Sequence, residues 1–514
     1  MNNSNVEIHR QPIRPWDERI NRLIFLARHV DWGAILAFVI PFTLYSLTLA
    51  PTIYNLDSAE LTTAVATGGI LRATGYPLYL VLGKIWSFLP LGDIGFRMNL
   101  FSAFWAAWTI FLADRILHRL NAGAWARLGA LGLLTAAPFF WSLSLIAEVY
   151  TLHTAIMAAA ILTLIRWGER PTFPRLALPI FLLALSLGNH AATVLLIPGC
   201  VWYVIHKHPR QLLAPKFYLT TLLALISGAT IFLYLPIQFG SSPAFNYAGR
   251  FDATGAFNPV NLQTLDGILW LATGRAFAGQ MFGYSLLEVW PEVSEFGRQL
   301  WIAFLGIGIL PGLVGLIGLI KRDRSLGGML VLMLFANALF YINYRVVDKQ
   351  TMYLPVYVLW ALGLGYGYQL LIDWFRPRGG TAALEWLFRG VMVGAVALSV
   401  AWNWSRVDLS DDWSTREQSE AILAEVGPDA IIFGWWDTIP AVQYLQLVEG
   451  QRPDVLAVNR FLIDPHDMNQ LIRQEIGERP IYINNPSIEL LKITRAARVG
   501  SLYRLEPQAW PATD

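Results

Sequence analysis

Asp57 and Glu60 stand three residues apart in the stretch Asn55-Leu56-Asp57-Ser58-Ala59-Glu60-Leu61. On a helix this spacing puts both carboxylates on one face. One of them could serve as general base on an acceptor hydroxyl. The plainer reading is a helix start, with Asp57-Ser58 at the cap and Glu60 as the capping partner. A second group, Glu148, Tyr150 and His153, falls within about a turn and a half of helix. An ionisable group this close to apolar sequence is costly and points to function, although an interfacial cap would use the same residues. Asn189-His190 interrupts a third apolar stretch, where a lone histidine is more often a helix-packing residue. Arg97, Arg345 and Lys349 could hold a phosphate. Their plainer readings are a snorkelling arginine for Arg97 and a solvated loop for the other two, with Asp348 offsetting one charge. Tyr76 sits in Ala73-Thr74-Gly75-Tyr76-Pro77, whose Gly and Pro permit a tight turn.

These residues must be positioned by a membrane scaffold. Of 514 residues, 55% are hydrophobic and 14% charged, against about 25% charged in soluble domains; mean hydropathy is +0.45. An ordinary soluble enzyme and a nucleic-acid-binding chain are both excluded. A single cysteine, Cys200, rules out an intrachain disulfide and a cysteine zinc cluster. Apolar runs long enough to span a bilayer recur near 33–50, 98–117, 125–143, 148–167, 176–189, 190–206, 216–236, 299–320, 326–344, 352–374 and 385–404. The segment 76–91 is apolar but short, carries Lys84 and lies between Pro77 and Pro90, which predicts an interfacial or re-entrant helix. The expected fold is therefore mainly α, a multi-pass membrane protein of about 11 transmembrane helices.

Charge sets the expected orientation. With residues 1–32 read as a cytoplasmic tail rather than a cleaved leader, the inside segments hold 20 Lys and Arg and the outside loops up to residue 404 hold eight. That is a positive-inside bias. It leaves the loops 51–97 and 237–298 outside, together with a region 405–514 that has 10 basic and 17 acidic residues. This last region reads as a small extracytoplasmic α/β domain: helices over 413–426, 438–449 and 466–476 alternate with strands near 430–433, 454–458, 480–483 and 499–505. The expected organisation is a tail, 1–32, a transmembrane domain, 33–404, and an outer domain, 405–514. Asp57, Glu148, His190 and Lys349 then share the outer membrane face. No phosphate-binding loop, HExxH, GxSxG or dinucleotide fingerprint is present. A one-sided acidic cluster suits a reaction at one face better than a path across the membrane.

The stretch 57–103, DSAELTTAVATGGILRATGYPLYLVLGKIWSFLPLGDIGFRMNLFSA, resembles the opening signature of a bacterial membrane family that includes an animal ER-resident protein O-mannosyltransferase, within the GT-C class of glycosyltransferases. The resemblance continues through AEVYTLH (147–153), SLGNH (186–190), LYLPI (233–237), PAFNY (243–247), DKQTMYLPVY (348–357) and GWWDTIPAVQYLQLVEGQRPDV (434–455). It implies an extracytoplasmic site, a polyprenyl-phosphate sugar donor and an acidic base in the first outer loop, which maps onto Asp57 with Glu60 second. Where relatives often carry His-Pro-Pro-Gly before Tyr-Pro, this chain has Arg72-Ala73-Thr74-Gly75, which leaves the role of Arg72 open.

The expected function is transfer of a sugar from a polyprenyl-phosphate donor to an acceptor hydroxyl on a protein or glycan, at the outer face of the cytoplasmic membrane. Asp57 and Glu60 are the candidate catalytic pair. Tyr76, Arg97, Glu148, Tyr150, His153, Asn189, His190, Arg345 and Lys349 are candidates for substrate binding, with Arg97, His190, Arg345 and Lys349 on the leaving phosphate. A divalent metal is permitted but not demanded, since no His-carboxylate spacing stands out. Two alternatives stand beside this reading. One is a transporter or flippase for lipid-linked sugars, against which the absence of an inverted repeat argues. The other is a non-catalytic relative that binds partners through the outer domain.

Overall fold

The computed structural model describes residues 31–375 and 382–508. The expected 1–32 tail lies outside the described residues except for Asp31 and Trp32. Asp31 caps the first helix, Trp32–Leu47, its carboxylate accepting from the Ala34 amide at 3.1 Å.

The chain is a multi-pass, mostly helical protein. Among the described residues, six helices are long and apolar enough to cross a membrane: 94–119, 149–169, 215–240, 324–342, 349–375 and 385–407. Trp32–Leu47, Phe173–Leu187 and Ala191–Lys207 are shorter apolar helices. The break expected at Asn189-His190 is present: Phe173–Leu187 ends there, and His190 caps a 3-10 turn over Ala191–Leu196. Two runs differ from expectation. The run 125–143 is divided at Pro138 into Ala124–Thr135 and Pro138–Ser142, because proline supplies no amide to continue the helix. The run 299–320 is also two pieces, Val289–Ala303 and Ile309–Arg322, turned by Leu305 and Gly306 at φ 52° and 67°.

The segment expected to be interfacial or re-entrant forms a ten-residue helix, Pro77–Trp86. At 1.5 Å per residue it reaches about 15 Å, half a bilayer core. Its backbone is tied into the bundle by the Leu78 amide on the Gly188 carbonyl at 2.9 Å, and Lys84 ends on the Ala66 carbonyl at 2.7 Å. The bundle is close-packed where small residues let backbones meet. A Cβ on Gly315 would lie 1.8 Å from the Gly363 carbonyl oxygen, so only glycine allows the Ile309–Arg322 helix to sit on Leu354–Phe375.

The C-terminal α/β region carries a five-stranded sheet. Its strands are β3 (Ile431–Gly434), β4 (Leu456–Asn459), β5 (Ile481–Ile483), β6 (Thr494–Val499) and β7 (Leu502–Pro507), in the order β4-β3-β5-β7-β6. β3 pairs in parallel with β4 and β5; β5-β7 and β7-β6 are antiparallel. Strand β3, Ile-Ile-Phe-Gly, lies between its two parallel partners and is buried throughout, as a parallel strand covered on both faces should be. Where one last strand was expected near 499–505, the chain forms a hairpin. Its edge strand β6 (TRAARV) is mostly solvent-facing and carries no apolar alternation to announce it. A two-stranded ribbon, Gly249–Phe251 (β1) with Phe257–Pro259 (β2), lies in the long 237–298 connection.

One face of the C-terminal region packs directly on the segment that carries Asp57. Ile53 and Ala59 share a core with Ile422, Val442 and Leu445. Arg416 reinforces this join, contacting Asp93 at 3.5 Å while also binding Glu449 at 2.7 Å.

Candidate active site

Asp57 and Glu60 lie on the first two turns of the helix Asp57–Thr67, but not as caps. The preceding residue, Leu56, is the N-cap at φ 55°, and no side chain bonds the helix start. Both carboxylates instead converge on Arg72, whose role the sequence left open. Arg72 Nη2 donates to Asp57 Oδ1 and Nε donates to Glu60 Oε2 at 3.2 Å. The Arg72 amide adds a contact of 3.4 Å to Glu60 Oε1. The shared helical face expected from the three-residue spacing is therefore real, and its use is to grip one guanidinium. The turn that returns Arg72 to the helix needs Gly75 at φ 79°, where a Cβ would strike Leu271 at 2.9 Å.

The two acids differ in exposure. The Asp57 side chain is 29% exposed and that of Glu60 3%. Asp57 Oδ2 takes no hydrogen bond from any described residue. Burial pushes the Glu60 carboxyl up to about 8, with Arg72 pulling it back down. The folded carboxyl thus holds its proton more tightly than the unfolded one. Glu60 favours the folded state below about pH 4.5, and that contribution is lost as pH rises through about 8. Glu60→Gln, which mimics the protonated acid, is expected to flatten the fall in stability between these limits. Thermal unfolding of the two proteins at pH 5, 6.5 and 8 measures this; parallel curves would show that Glu60 does not titrate there.

Asp57, Glu60, Leu61, Arg72, Tyr76 and Val149 line one cleft. Next to it lie the other expected residues. Glu148 caps the helix Val149–Glu169 and lies within electrostatic reach of Asp57, Arg72 and Asp348. The His190 ring is 5.4 Å from those of Tyr150 and His153 and 6.3 Å from that of Tyr76. Asn189 donates to the Val149 carbonyl at 3.0 Å. Segments far apart in sequence thus meet in one polar chamber. Glu148 Oε2, both ring nitrogens of His153 and the Tyr79 hydroxyl are buried with no hydrogen-bond partner among the described residues. His190 Nδ1 is used locally, accepting from the Ala192 amide at 3.1 Å.

The three candidate phosphate cations divide. Arg97 is not at the cleft but ties its own loop, donating to the carbonyls of Leu91, Ser87 and Gly92 at 2.8, 2.6 and 2.9 Å. Arg345 is exposed, near Glu288 at 4.0 Å and over the Tyr284 ring. Lys349, expected on a solvated loop, is 4% exposed. It pairs with Glu292 at 2.5 Å and lies 4.6 Å from the Tyr284 ring centre. The offsetting charge comes from the 237–298 connection and not from neighbouring Asp348. Asp348 is near enough to Asp57 to feel its charge: desolvation and that charge raise the Asp348 carboxyl above the usual range.

Two partners escaped the sequence reading. Glu292 is one. The other is Trp436, on the C-terminal region, whose ring lies 4.2 Å from the Arg72 guanidinium carbon. Trp436 is braced by Tyr247 and Phe461, with ring centres 5.3 and 5.5 Å away. The only available sequence signal was its place in the Gly434-Trp435-Trp436-Asp437-Thr438 motif. Among the described residues, no group of three or more His, Cys, Asp or Glu side chains is placed to hold a metal ion.

The family described as the protein O-mannosyl-transferase TMEM260 N-terminal domain matches residues 57–213, the part holding Asp57, Arg72, Glu148 and His190. The chain is 22% identical to protein O-mannosyl-transferase tmem260 of Dictyostelium discoideum, over 82% of this chain and 56% of that protein. It is 24% identical to TMEM260 of Mus musculus, over 83% of this chain and 62% of that protein. The matches therefore span about three-fifths of these relatives' length. The fold is that of ArnT from Cupriavidus metallidurans, solved in the apo state and bound to undecaprenyl phosphate. For the bound form the TM-score is 0.56 at 11% identity, covering 92% of this chain and 97% of that one. The chain is thus a membrane protein with the fold of ArnT and with sequence similarity to the TMEM260 protein O-mannosyl-transferases.

Proposed function

We propose that the protein is a membrane glycosyltransferase that moves a sugar from a polyprenyl-phosphate donor to an acceptor hydroxyl, at the extracytoplasmic face of the cytoplasmic membrane. The observation that carries this reading is the Asp57 carboxylate: one oxygen is fixed by Arg72, while the other is free of protein donors in a cleft. A carboxylate so held can receive the acceptor's proton as the hydroxyl oxygen attacks the anomeric carbon. The bond from that carbon to the phosphate oxygen breaks, and polyprenyl phosphate leaves with the electron pair. The buried, unpartnered atoms of Glu148 and His153 suit a polyhydroxyl ligand, since sugar hydroxyls can both donate to and accept from them. Arg345 is the most accessible cation for the leaving phosphate; Lys349 would have to exchange Glu292 for it. The undecaprenyl phosphate bound by ArnT, and the names of the TMEM260 relatives, support a polyprenyl donor and a protein acceptor.

The test is the purified protein itself. Mass spectrometry of co-purifying lipid is expected to find a polyprenyl-phosphate sugar, and labelled sugar from such a donor is expected to reach a hydroxyl-bearing peptide or glycan. Retention of lipid-linked sugar without transfer to any acceptor would favour the transporter reading.

A further inference from the structure

A second charged cleft lies at the far end of the bundle. It is lined by Arg119, Thr163, Arg166, Glu169, Arg170, Arg175 and Leu178, and encloses about 1010 Å³, part of it open to solvent. Arg119 ends the helix Ile94–Arg119, Arg166 and Glu169 end Val149–Glu169, and Arg175 lies in the first turn of Phe173–Leu187. Glu148, beside the Asp57 cleft, caps the opposite end of the same Val149–Glu169 helix. That helix has 21 residues, and at 1.5 Å per residue it separates the two clefts by about 30 Å, the thickness of a bilayer core. When one cleft is at one headgroup layer, the other is at the opposite layer.

Most of the positive charge in this cleft is not used by the described residues. The single acid, Glu169, is taken by Arg119 through contacts of 2.7 and 2.6 Å. The guanidinium groups of Arg166, Arg170 and Arg175 are exposed and have no ion pair or hydrogen bond among the described residues. Other bases at this end are spent on the fold. Arg115 and Arg127 hold Asp114, Lys207 holds Asp323, and Arg322 donates to the Leu120 carbonyl. Arg210, Lys216 and Arg324 do not line the cleft. Three free guanidinium groups from two helices and the turn between them therefore converge on one concave site, with Leu178 (47% exposed) at its edge as an apolar contact. Forked guanidinium donors match phosphate oxygens, and such basic pockets between helix ends suit anionic lipid headgroups.

We propose that this cleft binds the anionic phosphate headgroup of a membrane lipid, at the headgroup layer opposite the Asp57 cleft. The test uses the full chain in nanodiscs and native mass spectrometry, with phosphatidylglycerol or phosphatidylcholine as the probe. The wild type is expected to retain phosphatidylglycerol over phosphatidylcholine. The triple variant Arg166→Gln, Arg170→Gln, Arg175→Gln is expected to retain it roughly 100-fold less well, from the loss of three guanidinium donors that converge on one phosphate headgroup. A charge-matched control, Arg210→Gln, Lys216→Gln, Arg324→Gln, is expected to behave as wild type. Equal losses in both triple variants would overturn the site in favour of diffuse attraction to the membrane, as would no loss in either. Melting in detergent separates lipid from free phosphate: stabilisation by millimolar inorganic phosphate equal to that by phosphatidylglycerol would overturn the lipid assignment.

Discussion

Asp57→Asn is expected to cut turnover by about two orders of magnitude or more, because general-base assistance is worth roughly 10²–10⁴ in rate. The substitution keeps the shape of the side chain, and the amide oxygen can still accept from Arg72. It removes the ability to take up a proton. A carboxylate and its amide differ little toward a donor that neither is expected to hold by its phosphate, so donor affinity is expected to stay nearly unchanged, and the loss should fall on kcat. Glu60→Gln is expected to do less, since the Glu60 side chain is 3% exposed and both of its oxygens are already engaged by Arg72. Single-turnover transfer from a labelled polyprenyl-phosphate sugar, beside equilibrium donor binding, separates these effects. Near-full turnover in Asp57→Asn together with none in Glu148→Gln would move the base to Glu148, and the Asp57 helix would then be scaffold.

Arg72→Gln is expected to damage both stability and activity. Arg72 joins two carboxylates and lies against Trp436, so one side chain connects the Asp57–Thr67 helix to the C-terminal region. Removing one partner of a largely buried ion pair costs about 3–5 kcal/mol, and the lower end applies here because the Arg72 side chain is 25% exposed. The deficit is expected to grow only as pH rises past about 8, where the wild-type Glu60 ionises beside Arg72 while the unpaired acid, its carboxyl raised further by the loss of that cation, stays protonated. Adding Glu60→Gln should recover a large part of the stability, because no buried acid is then left without its cation. It should not restore turnover, since Asp57 would still lack the group that fixes its orientation, a loss we place at about 100-fold. Melting temperatures at two pH values and turnover of the single and double variants measure both parts. A wild-type melting temperature in Arg72→Gln would mean that the bridge does not hold the site together.

The sequence by itself determined what depends on short range and on composition. An apolar content of 55% with 14% charge leaves few options but a membrane protein. The helix break at Asn189-His190 and the ten-residue helix after Pro77 were both legible, because proline and local polarity act within a few residues. So was the common face of Asp57 and Glu60, since helical periodicity is local. The α/β alternation of the C-terminal region was legible for its buried strands and not for β6, whose mostly exposed residues carry no pattern.

Only the tertiary structure decided what each charge is for. Arg97 and Lys349 looked equally available as phosphate ligands. One proves to cap its own loop, and the other is buried against Glu292, 57 residues earlier in the chain. Trp436 reaches Arg72 across 364 residues because the Ile439–Leu447 helix docks on the Asp57 helix through apolar side chains, a contact that no local spacing encodes. A charged side chain takes the nearest opposite charge or carbonyl that the packed helices offer it. Which one that is depends on how the hydrophobic faces of distant segments come together.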